Sequence, residues 1–207
     1  MTIFIFDLDS TLTRSELLPE IARAAGLDLD MARLTQAALD GTADFAASFR
    51  RRFELLAHTD IGLIHQTAAG IALDLHLARF IQKQPEQCII ATGNADLWVK
   101  PITDRLGCRV FASHAELDAQ GRSCLQTILD KGAVMRGLRS ELPAGTKIIA
   151  VGDSANDIPM FELADYAFAF AGVNRPAAAV IQAADECLDN GAALAARLES
   201  LALKEKG

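Results

Sequence analysis

Residues 3–13 of this 207-residue chain read IFIFDLDSTLT, and they carry the clearest signal of its fold. Four consecutive apolar residues, Ile3 to Phe6, run directly into two carboxylates, Asp7 and Asp9. An unbroken apolar run rich in β-branched and aromatic residues is typical of a strand buried on both faces of a parallel sheet. Asp7 and Asp9 then lie at the carboxyl end of the strand, where open α/β sheets bind ligands. Two like charges held close together there cost free energy unless a cation neutralises them.

Further short apolar runs predict further strands, namely QCIIAT, RVFAS, KIIAVG and YAFAFAG. Helical stretches lie between most of them, which predicts βαβ units and an α/β fold with a doubly wound parallel sheet. Between the first two strands, however, roughly seventy residues show a helical pattern without a strand signal, although a crossover needs only about a dozen. We therefore predict that residues 13–78 form an inserted helical domain, and that residues 1–12 and 79–207 form the core domain.

The composition limits the classes of partner. Hydrophobic residues make up 51% of the chain, and the net charge of −7 argues against nucleic acid, because a phosphate backbone is bound through a positive field. The four cysteines include no CxxC pair, which suits a reducing compartment. Since Asp7 and Asp9 interrupt the first apolar run, we expect no membrane segment or signal peptide. We therefore expect a cytoplasmic protein with a small-molecule ligand; the sequence indicates no oligomeric state.

A second acidic cluster follows another predicted strand, in KIIAVGDSANDIPM, and contains Asp153 and Asp157. If both strand ends lie side by side, four carboxylates share a small volume, and carboxylates with a few waters describe a Mg²⁺ site. The alternative is structural, because Gly, Asp, Ser and Asn all favour a turn followed by a helix N-cap. The occurrence of two such pairs at equivalent strand ends favours the metal site.

Two other strand ends supply groups that phosphate chemistry needs. Thr92 offers a hydroxyl, and Gly93 lets backbone N–H groups approach an anion. Lys131 opens a predicted helix and brings an ammonium group. Each signal is weak alone, since Thr-Gly is an ordinary turn and lysine is a common surface residue. Together with the acidic pairs they predict a phosphoryl-transfer site.

These motifs resemble those of the haloacid dehalogenase-like hydrolases. DLDSTLT matches their DxDx(T/S) signature, the Thr-Gly after the second strand their hydroxyl motif, Lys131 their lysine, and GDSAND their acidic motif. All four occur in the family's order and span nearly the whole chain. In DSTL, EIARAAG and the F…S.RRR stretch the chain is most similar to phosphoserine phosphatases. The resemblance implies a Rossmann-like core with a helical cap of the first type, which would be the insert.

The resemblance also implies a phosphoric monoester hydrolase. Asp7 would be the nucleophile that forms an aspartyl-phosphate, and Asp9 would act first as acid and then as base. Mg²⁺ would be held by Asp7, by the backbone carbonyl of Asp9 and by Asp153. Dehalogenases proper lack the second carboxylate, and P-type ATPases carry threonine there, so Asp9 favours a phosphatase or a phosphomutase. Nothing in the insert supports a sugar-phosphate mutase.

Four further residues receive supporting roles from the resemblance. Thr92 and Lys131 would hold the phosphoryl oxygens, and Lys131 would also orient the nucleophile. Asn156 would donate hydrogen bonds around the phosphate, and Asp157 would support the metal site from close by.

One arginine of the insert stands out in ADFAASFRRRFELL. At helical angles an apolar stripe forms from Phe45, Phe49, Phe53 and Leu56. Arg52 projects from the edge of this stripe, whereas the two preceding arginines point elsewhere. A guanidinium among aromatic rings suits capture of a substrate carboxylate, although it could equally extend from the stripe to water. The resemblance aligns Arg52 and Phe45 with residues that contact phosphoserine.

Glu16 has two interpretations. TRSE, beginning at Thr13, is a capping-box pattern with Glu16 at its third helical position, and the residues alone favour this role. The resemblance aligns Glu16 with the residue that binds the substrate ammonium.

The chain departs from the phosphoserine phosphatase pattern at Thr92, Gly93 and Asn94, where those enzymes usually have Ser-Gly-Gly. Asn94 places a side chain where the backbone would approach the substrate, so we count Gly93 and Asn94 among the substrate-binding residues. The favoured substrate is O-phosphoserine, as in serine biosynthesis. The alternatives are another small amine- or polyol-bearing phosphate, and a non-catalytic protein that binds a ligand or partner.

Overall fold

The computed structural model describes residues 1–28, 31–32, 34–35 and 44–203, so part of the predicted insert lies outside the described residues. The strands are Thr2–Phe6 (β1), Cys88–Ala95 (β2), Arg109–Leu117 (β3), Ser123–Thr127 (β4), Lys147–Gly152 (β5), Tyr166–Phe170 (β6) and Glu186–Leu188 (β7). Within the described residues, the α-helices are Leu17–Ala24 (α1), Phe45–Leu56 (α2), Ile61–Gly70 (α3), Leu75–Lys83 (α4), Asp96–Leu106 (α5), Lys131–Glu141 (α6), Ile158–Phe161 (α7), Ala178–Ala183 (α8) and Gly191–Leu203 (α9). Short 3₁₀ turns occupy Pro85–Gln87 and Ala155–Asp157.

The strands form a single sheet in the order β4-β3-β2-β1-β5-β6-β7. All neighbouring strands are parallel except β3 and β4, which are antiparallel. The chain moves outward from the central β1 first to one edge and then, from β5, to the other. This order is that of a doubly wound sheet, and the predicted α/β fold is confirmed.

Successive residues of β1 face opposite layers, as the pleat of a strand requires. Ile3 and Ile5 pack into a cluster with helices α6, α7 and α8. Phe4 and Phe6 pack into the other cluster, which includes Phe80 of α4 and residues of α1, α2, α3, α5 and α9. Because both faces are covered, every residue of β1 is buried. This explains why the strand reads as a continuous apolar run.

Two strands differ from the prediction. β4 follows β3 through a turn in which Asp118 Oδ1 accepts hydrogen bonds from the backbone N–H groups of Gln120 and Arg122. β4 pairs only with β3 and is partly exposed, and β7 spans three residues at the opposite edge. Neither has the apolar run that marks a buried strand, so neither was predicted.

The insert leaves and rejoins the sheet at adjacent points. Thr13 forms an antiparallel bridge with Leu73, and on either side of it Arg14 N donates to Ala72 O and Asp74 N donates to Leu12 O, both at 2.8 Å. Helix α4 follows immediately and packs on β1, with the rings of Phe80 and Phe4 4.9 Å apart. The predicted boundary at residues 78/79 therefore falls inside a helix that contacts the sheet.

Among the described residues, the structure contains no helix that is both long enough and apolar enough to cross a membrane.

Candidate active site

The register of the central strands brings the predicted strand-end residues together. Phe6 lies beside Ile90 of β2 and beside Val151 of β5, so the residues that follow all three strands emerge at one edge of the sheet. Asp7 N donates to Val151 O at 2.8 Å, which fixes the nucleophile candidate against the end of β5. Asp153 follows two residues later, and its Oδ1 accepts a hydrogen bond from Thr11 Oγ1 at 3.2 Å.

Three buried carboxylates form the centre of the site. Oxygens of Asp7, Asp153 and Asp157 all lie within 4.8 Å of one another. Both oxygens of Asp157 are engaged, because Oδ1 accepts from Lys131 and Oδ2 accepts from the backbone N–H groups of Asp153 and Ser154 at 3.1 and 3.0 Å. The carboxylate folds back so closely that a Cβ at Gly152 would lie 2.3 Å from its Cγ. This position therefore requires glycine.

The two interpretations of GDSAND are compatible in the structure. Ser154 begins the 3₁₀ turn Ala155–Asp157, and the Asp157 carboxylate accepts from Ser154 N as the returning half of a capping box. Asp153 precedes the turn and is left to face the other carboxylates. The turn predicted by the structural interpretation of GDSAND therefore positions the acidic cluster.

Lys131 supplies the countercharge from behind the cluster. It is the first residue of α6, and its side chain is 2% exposed. Its Nζ donates to Asp7 Oδ1 and to Asp157 Oδ1, both at 2.5 Å. Burial alone lowers the pKa of Lys131, but the carboxylates of Asp157 and Asp7 outweigh this effect and raise it above the usual value. Lys131 is therefore a fixed cation at this site.

The remaining negative charge of the cluster is not fully compensated. Burial raises the pKa of Asp7 to about 7, although Lys131 opposes the shift. Burial, together with the charges of Asp7 and Glu16, raises the pKa of Asp153 well above its usual range. Asp153 Oδ2 is buried and has no hydrogen-bond partner among the described residues. Such an oxygen beside two other carboxylates is suited to a hard divalent cation.

Asp9 lies at the entrance to the same cluster in a different environment. Its Oδ2 accepts from Asn94 Nδ2 at 2.7 Å and from Leu17 N at 3.3 Å. Burial, and then the charge of Glu16, raise the pKa of Asp9 to about 8 despite these hydrogen bonds. This environment favours the protonated form of the carboxyl group, which is the form that a general acid needs.

The end of β2 is irregular where Gly93 and Asn94 lie, because the pairing with β3 shifts between Thr92 and Ala95. Thr92 is buried, and its Oγ1 accepts from Asn94 N at 3.2 Å. A Cβ at Gly93 would lie 2.2 Å from Cζ of Phe45. The ring from α2 therefore rests directly on the glycine backbone, and the insert contacts the sheet there.

Arg52 is 5% exposed, which excludes the alternative that its guanidinium reaches water. The stripe prediction is confirmed, because α2 buries Phe49 and Phe53 while Arg50 and Arg51 are exposed. Among the described residues, the guanidinium donates to two neutral oxygens, Ser48 O at 3.4 Å and Thr35 Oγ1 at 3.2 Å. It forms no ion pair within the described part of the chain. Burial lowers the pKa of Arg52, although Glu16 and Asp9 oppose this effect.

The capping-box interpretation of Glu16 is wrong. Helix α1 begins at Leu17, and Glu16 is its N-cap residue without a side-chain capping bond. In a capping box the Thr13 hydroxyl would bond to the start of the helix. Here it donates instead to the backbone oxygens of Leu8 and Ser15. Glu16 Oε1 accepts from the hydroxyl of Ser10, a residue held at φ 56°. Burial raises the pKa of Glu16.

One cavity is lined by all the predicted site residues except Lys131 and Asp157. These two residues lie behind Asp7. The lining of the cavity is Asp7, Asp9, Glu16, Thr35, Phe45, Phe49, Arg52, Thr92, Gly93, Asn94, Asp153, Ser154 and Asn156. Thr35, Phe49 and Ser154 also line the cavity and were not predicted as site residues. The cavity measures about 40 Å³, which is room for a few water molecules. An organic ligand can therefore enter only if the walls separate.

A protein-family model described as haloacid dehalogenase-like hydrolase matches residues 4–162. The chain belongs to the haloacid dehalogenase-like hydrolase family. The family predicted from the motifs is thereby confirmed.

Two curated relatives show which members of the family the chain is similar to. The phosphoserine phosphatase of Methanocaldococcus jannaschii is 30% identical over 183 residues, which cover 81% of this chain and 84% of the relative. The phosphoserine phosphatase of Wolinella succinogenes is 27% identical over 180 residues, covering 82% and 87%.

Solved structures agree with this similarity. A phospho-aspartyl intermediate analogue of phosphoserine phosphatase superposes with a TM-score of 0.78 at 27% identity, over 91% of this chain and 93% of that chain. A substrate-bound phosphoserine phosphatase also gives a TM-score of 0.78, at 26% identity, over 91% and 92%. The predicted resemblance to phosphoserine phosphatases is confirmed.

Proposed function

We propose that this chain is a Mg²⁺-dependent phosphoric monoester hydrolase that acts through an aspartyl-phosphate and favours O-phosphoserine. The observation that carries the substrate proposal is the buried guanidinium of Arg52, which forms no ion pair within the described residues. A buried charge without a counterion is costly. The guanidinium lines the same cavity as Asp7 and Asp9. A phosphate ester that carries a carboxylate supplies the missing counterion.

The first chemical step uses Asp7 and Asp9. A carboxylate oxygen of Asp7 attacks phosphorus and forms a new P–O bond while the bond from phosphorus to the ester oxygen breaks. Asp9 gives its proton to that ester oxygen, so the product leaves as an alcohol. Lys131 holds Asp7 Oδ1, which leaves the other oxygen for attack. The solved phospho-aspartyl analogue of a phosphoserine phosphatase supports this intermediate.

The second step returns the enzyme to its starting state. Water attacks the phosphorus of the aspartyl-phosphate and gives a proton to Asp9, which is now a base. The bond between phosphorus and Asp7 breaks, and inorganic phosphate is released. Thr92 and Asn156 line the cavity and hold the phosphoryl oxygens, and Lys131 adds positive charge behind the nucleophile.

The side chains of Asp7 and Asp153 and the backbone carbonyl of Asp9 would hold Mg²⁺. The unpartnered Oδ2 of Asp153 fits such an ion, and so does the position of Asp153 among buried carboxylates. Asp157 has both oxygens engaged and therefore supports the site rather than serving as a ligand. When bound, Mg²⁺ supplies positive charge that stabilises the phosphoryl group during transfer.

Substrate selection comes from the insert. Arg52 binds the substrate carboxylate and Glu16 binds its ammonium group, while Phe45, Gly93 and Asn94 shape the wall between them and the phosphate. Opposite charges on one small cavity match the zwitterionic end of an amino acid. We propose that residues 13–78 act as a cap domain on the core formed by residues 1–12 and 79–207. The proposed setting is the cytoplasm, with neither nucleic acid nor a membrane as partner.

A second candidate is a phosphatase for another small phosphate that carries an amine or a polyol. Asn94 favours it, because its side chain occupies space that a second glycine leaves free in the phosphoserine phosphatase pattern. A non-catalytic binding protein is disfavoured, because every residue that the two chemical steps need is present and lines or adjoins one cavity.

A panel of phosphate esters tests the proposal. O-phosphoserine has both charged groups, phosphoethanolamine lacks the carboxylate, 3-phosphoglycerate lacks the amine, and glycerol 3-phosphate lacks both. We expect Mg²⁺-dependent phosphate release that is fastest with O-phosphoserine and is abolished in Asp7→Asn. Release from none of them would refute the phosphatase, whereas a preference for glycerol 3-phosphate or phosphoethanolamine would support the second candidate. Release that persists in Asp7→Asn would refute the aspartyl-phosphate.

A further inference from the structure

The two oxygens of Asp9 have different environments. Oδ2 accepts from Asn94 Nδ2 at 2.7 Å and from Leu17 N at 3.3 Å. Oδ1 is buried and accepts from no donor group in the described ranges of the chain, and the Glu16 carboxyl lies within hydrogen-bonding reach of Asp9. Since Asp9 lines the cavity, one oxygen is fixed by the protein and the other remains for a reacting group.

Asn94 is itself held in place. It is 6% exposed, and its backbone N donates to Thr92 Oγ1 at 3.2 Å. Strand pairing shifts between Thr92 and Ala95, and Ser113 Oγ fixes the irregularity by donating to Gly93 O at 2.6 Å. Irregularities of this kind redirect side chains next to active sites. Here the irregular stretch directs the Asn94 amide at the Asp9 carboxylate.

We propose that Asn94 is a positioning residue that fixes Asp9 for proton transfer to the leaving group. The proposal rests on the proposed function. In the first step the bond from phosphorus to the ester oxygen breaks as Asp7 forms its own bond to phosphorus, and the proton on Asp9 passes to the departing oxygen. The amide N–H holds Oδ2, so Oδ1 is presented to that oxygen. A glycine at residue 94 would leave only the longer hydrogen bond from Leu17 N.

This role has a signature that a general packing role lacks. The alkoxide of an alkyl phosphate needs a proton in order to leave, whereas the acetate released from acetyl phosphate leaves as a stable anion. Loss of Asp9 positioning therefore slows the first substrate and spares the second. Distortion of the cavity slows both.

The test compares Asn94→Asp and Asn94→Gly with the wild-type chain in Mg²⁺. The measured quantities are kcat/KM, which reports the steps through cleavage of the ester bond, and the single-turnover rate at saturating substrate. Loss of a binding contact to the amino-acid end of the substrate would leave the second quantity unchanged, whereas loss of Asp9 positioning lowers both. The substrates are acetyl phosphate and O-phosphoserine, or the alkyl phosphate of the panel that the wild type hydrolyses fastest. A positioned general acid supplies roughly 10²- to 10⁴-fold. We expect kcat/KM for the alkyl phosphate to fall by about 10- to 100-fold and that for acetyl phosphate by less than about threefold.

Asn190→Asp is the matched control. It is the same isosteric change at an exposed cap of α9, where Asn190 Oδ1 accepts from the backbone N–H groups of Ala192 and Ala193. We expect the ratio of the two kcat/KM values to stay at the wild-type value in this variant. An increase in melting temperature on adding Mg²⁺ shows that each variant retains a folded site, and Asn94→Gly carries the comparison if Asn94→Asp does not fold.

The outcomes separate the two proposals. Equal falls for both substrates, or no fall for either, would overturn the positioning role while leaving the phosphatase intact. A wild-type chain that releases phosphate from no ester of the panel would refute the proposed function, and the positioning role with it.

Discussion

Replacing Lys131 by methionine removes the only cation that contacts Asp7 and Asp157 within the described residues. The side chain keeps its approximate length, but two carboxylates at 2.5 Å from Nζ are left buried without a countercharge. Removing one partner of a buried ion pair costs about 3–5 kcal/mol. In metal-free protein at pH 8 we therefore expect Lys131→Met to lower the free energy of unfolding by about this amount. The melting temperature would fall by roughly 6–20 °C for a chain of this size.

The loss should depend on pH with a definite sign. The pKa of Asp7 is already raised to about 7 with Lys131 present, and its removal raises it further. A raised carboxyl pKa gives stability that is present at low pH and is lost as pH rises through the folded-state value. The wild type stops losing stability from Asp7 near pH 7, whereas the variant continues. The difference between them should grow by about 1.4 kcal/mol per pH unit above pH 7 until Asp7 ionises in the variant.

Urea unfolding in EDTA at pH 6 and pH 8 measures both effects. The control is Lys100→Met, which makes the same change in an exposed ion pair, with Nζ 2.9 Å from Asp104. That pair contributes about 0.3–0.5 kcal/mol. A loss in Lys131→Met no larger than in this control, or one that is equal at both pH values, would refute the assignment of Lys131 as the counterion of the cluster.

Three further predictions follow from the geometry of the cavity. Gly93→Ala places a Cβ 2.2 Å from Cζ of Phe45. Overpacking of about 1–3 kcal/mol should therefore lower kcat/KM for O-phosphoserine roughly tenfold. A decrease of less than about twofold would contradict the close contact between Phe45 and Gly93. Arg52→Lys should raise the KM for O-phosphoserine by about 10- to 100-fold, since a hydrogen bond to a charged group contributes about 1.5–3 kcal/mol. The KM for phosphoethanolamine, which lacks the carboxylate, should stay nearly unchanged. Equal increases in the two KM values would argue against a carboxylate site. The increase in melting temperature caused by Mg²⁺ should be larger at pH 8 than at pH 6, because Asp7 and Asp153 must ionise to bind the ion. The pKa of Asp7 is about 7, and that of Asp153 is also raised. Calorimetry showing the same increase at both pH values would contradict the metal site.

The buried strands could be predicted because each carries its own signal. β1 and β5 are covered on both faces, so nearly all of their residues are apolar, and the polar residues that end them stand out. β4 carries no such signal, because it has one neighbour and is partly exposed. An edge strand is defined by the partner it pairs with, and a local pattern does not contain that information.

The meeting of the acidic residues at one edge of the sheet was predictable for the same reason, since parallel strands bring their carboxyl ends together. Three features were not. The contact of Asn94 with Asp9 depends on an irregularity in the pairing of β2 with β3. Thr35 enters the cavity only through the tertiary packing of the insert, and nothing in its local sequence marks it. Glu16 fits a capping pattern, but the helix begins one residue after it, and its carboxylate accepts from the Ser10 hydroxyl instead.

In the proposed function, the division between sheet and insert separates the reaction from substrate selection. Asp7, Asp9 and Asp153 are held by the sheet and its loops, whereas Arg52 belongs to a helix whose chain leaves and returns at the bridge between Thr13 and Leu73. The cavity of about 40 Å³ is too small for an organic phosphate, so the proposed function includes a movement of the insert that admits the substrate. Closing the insert then buries the Arg52 guanidinium, which is costly unless a carboxylate comes with it. A substrate with a carboxylate lowers that cost and a substrate without one does not, so closure itself discriminates between them.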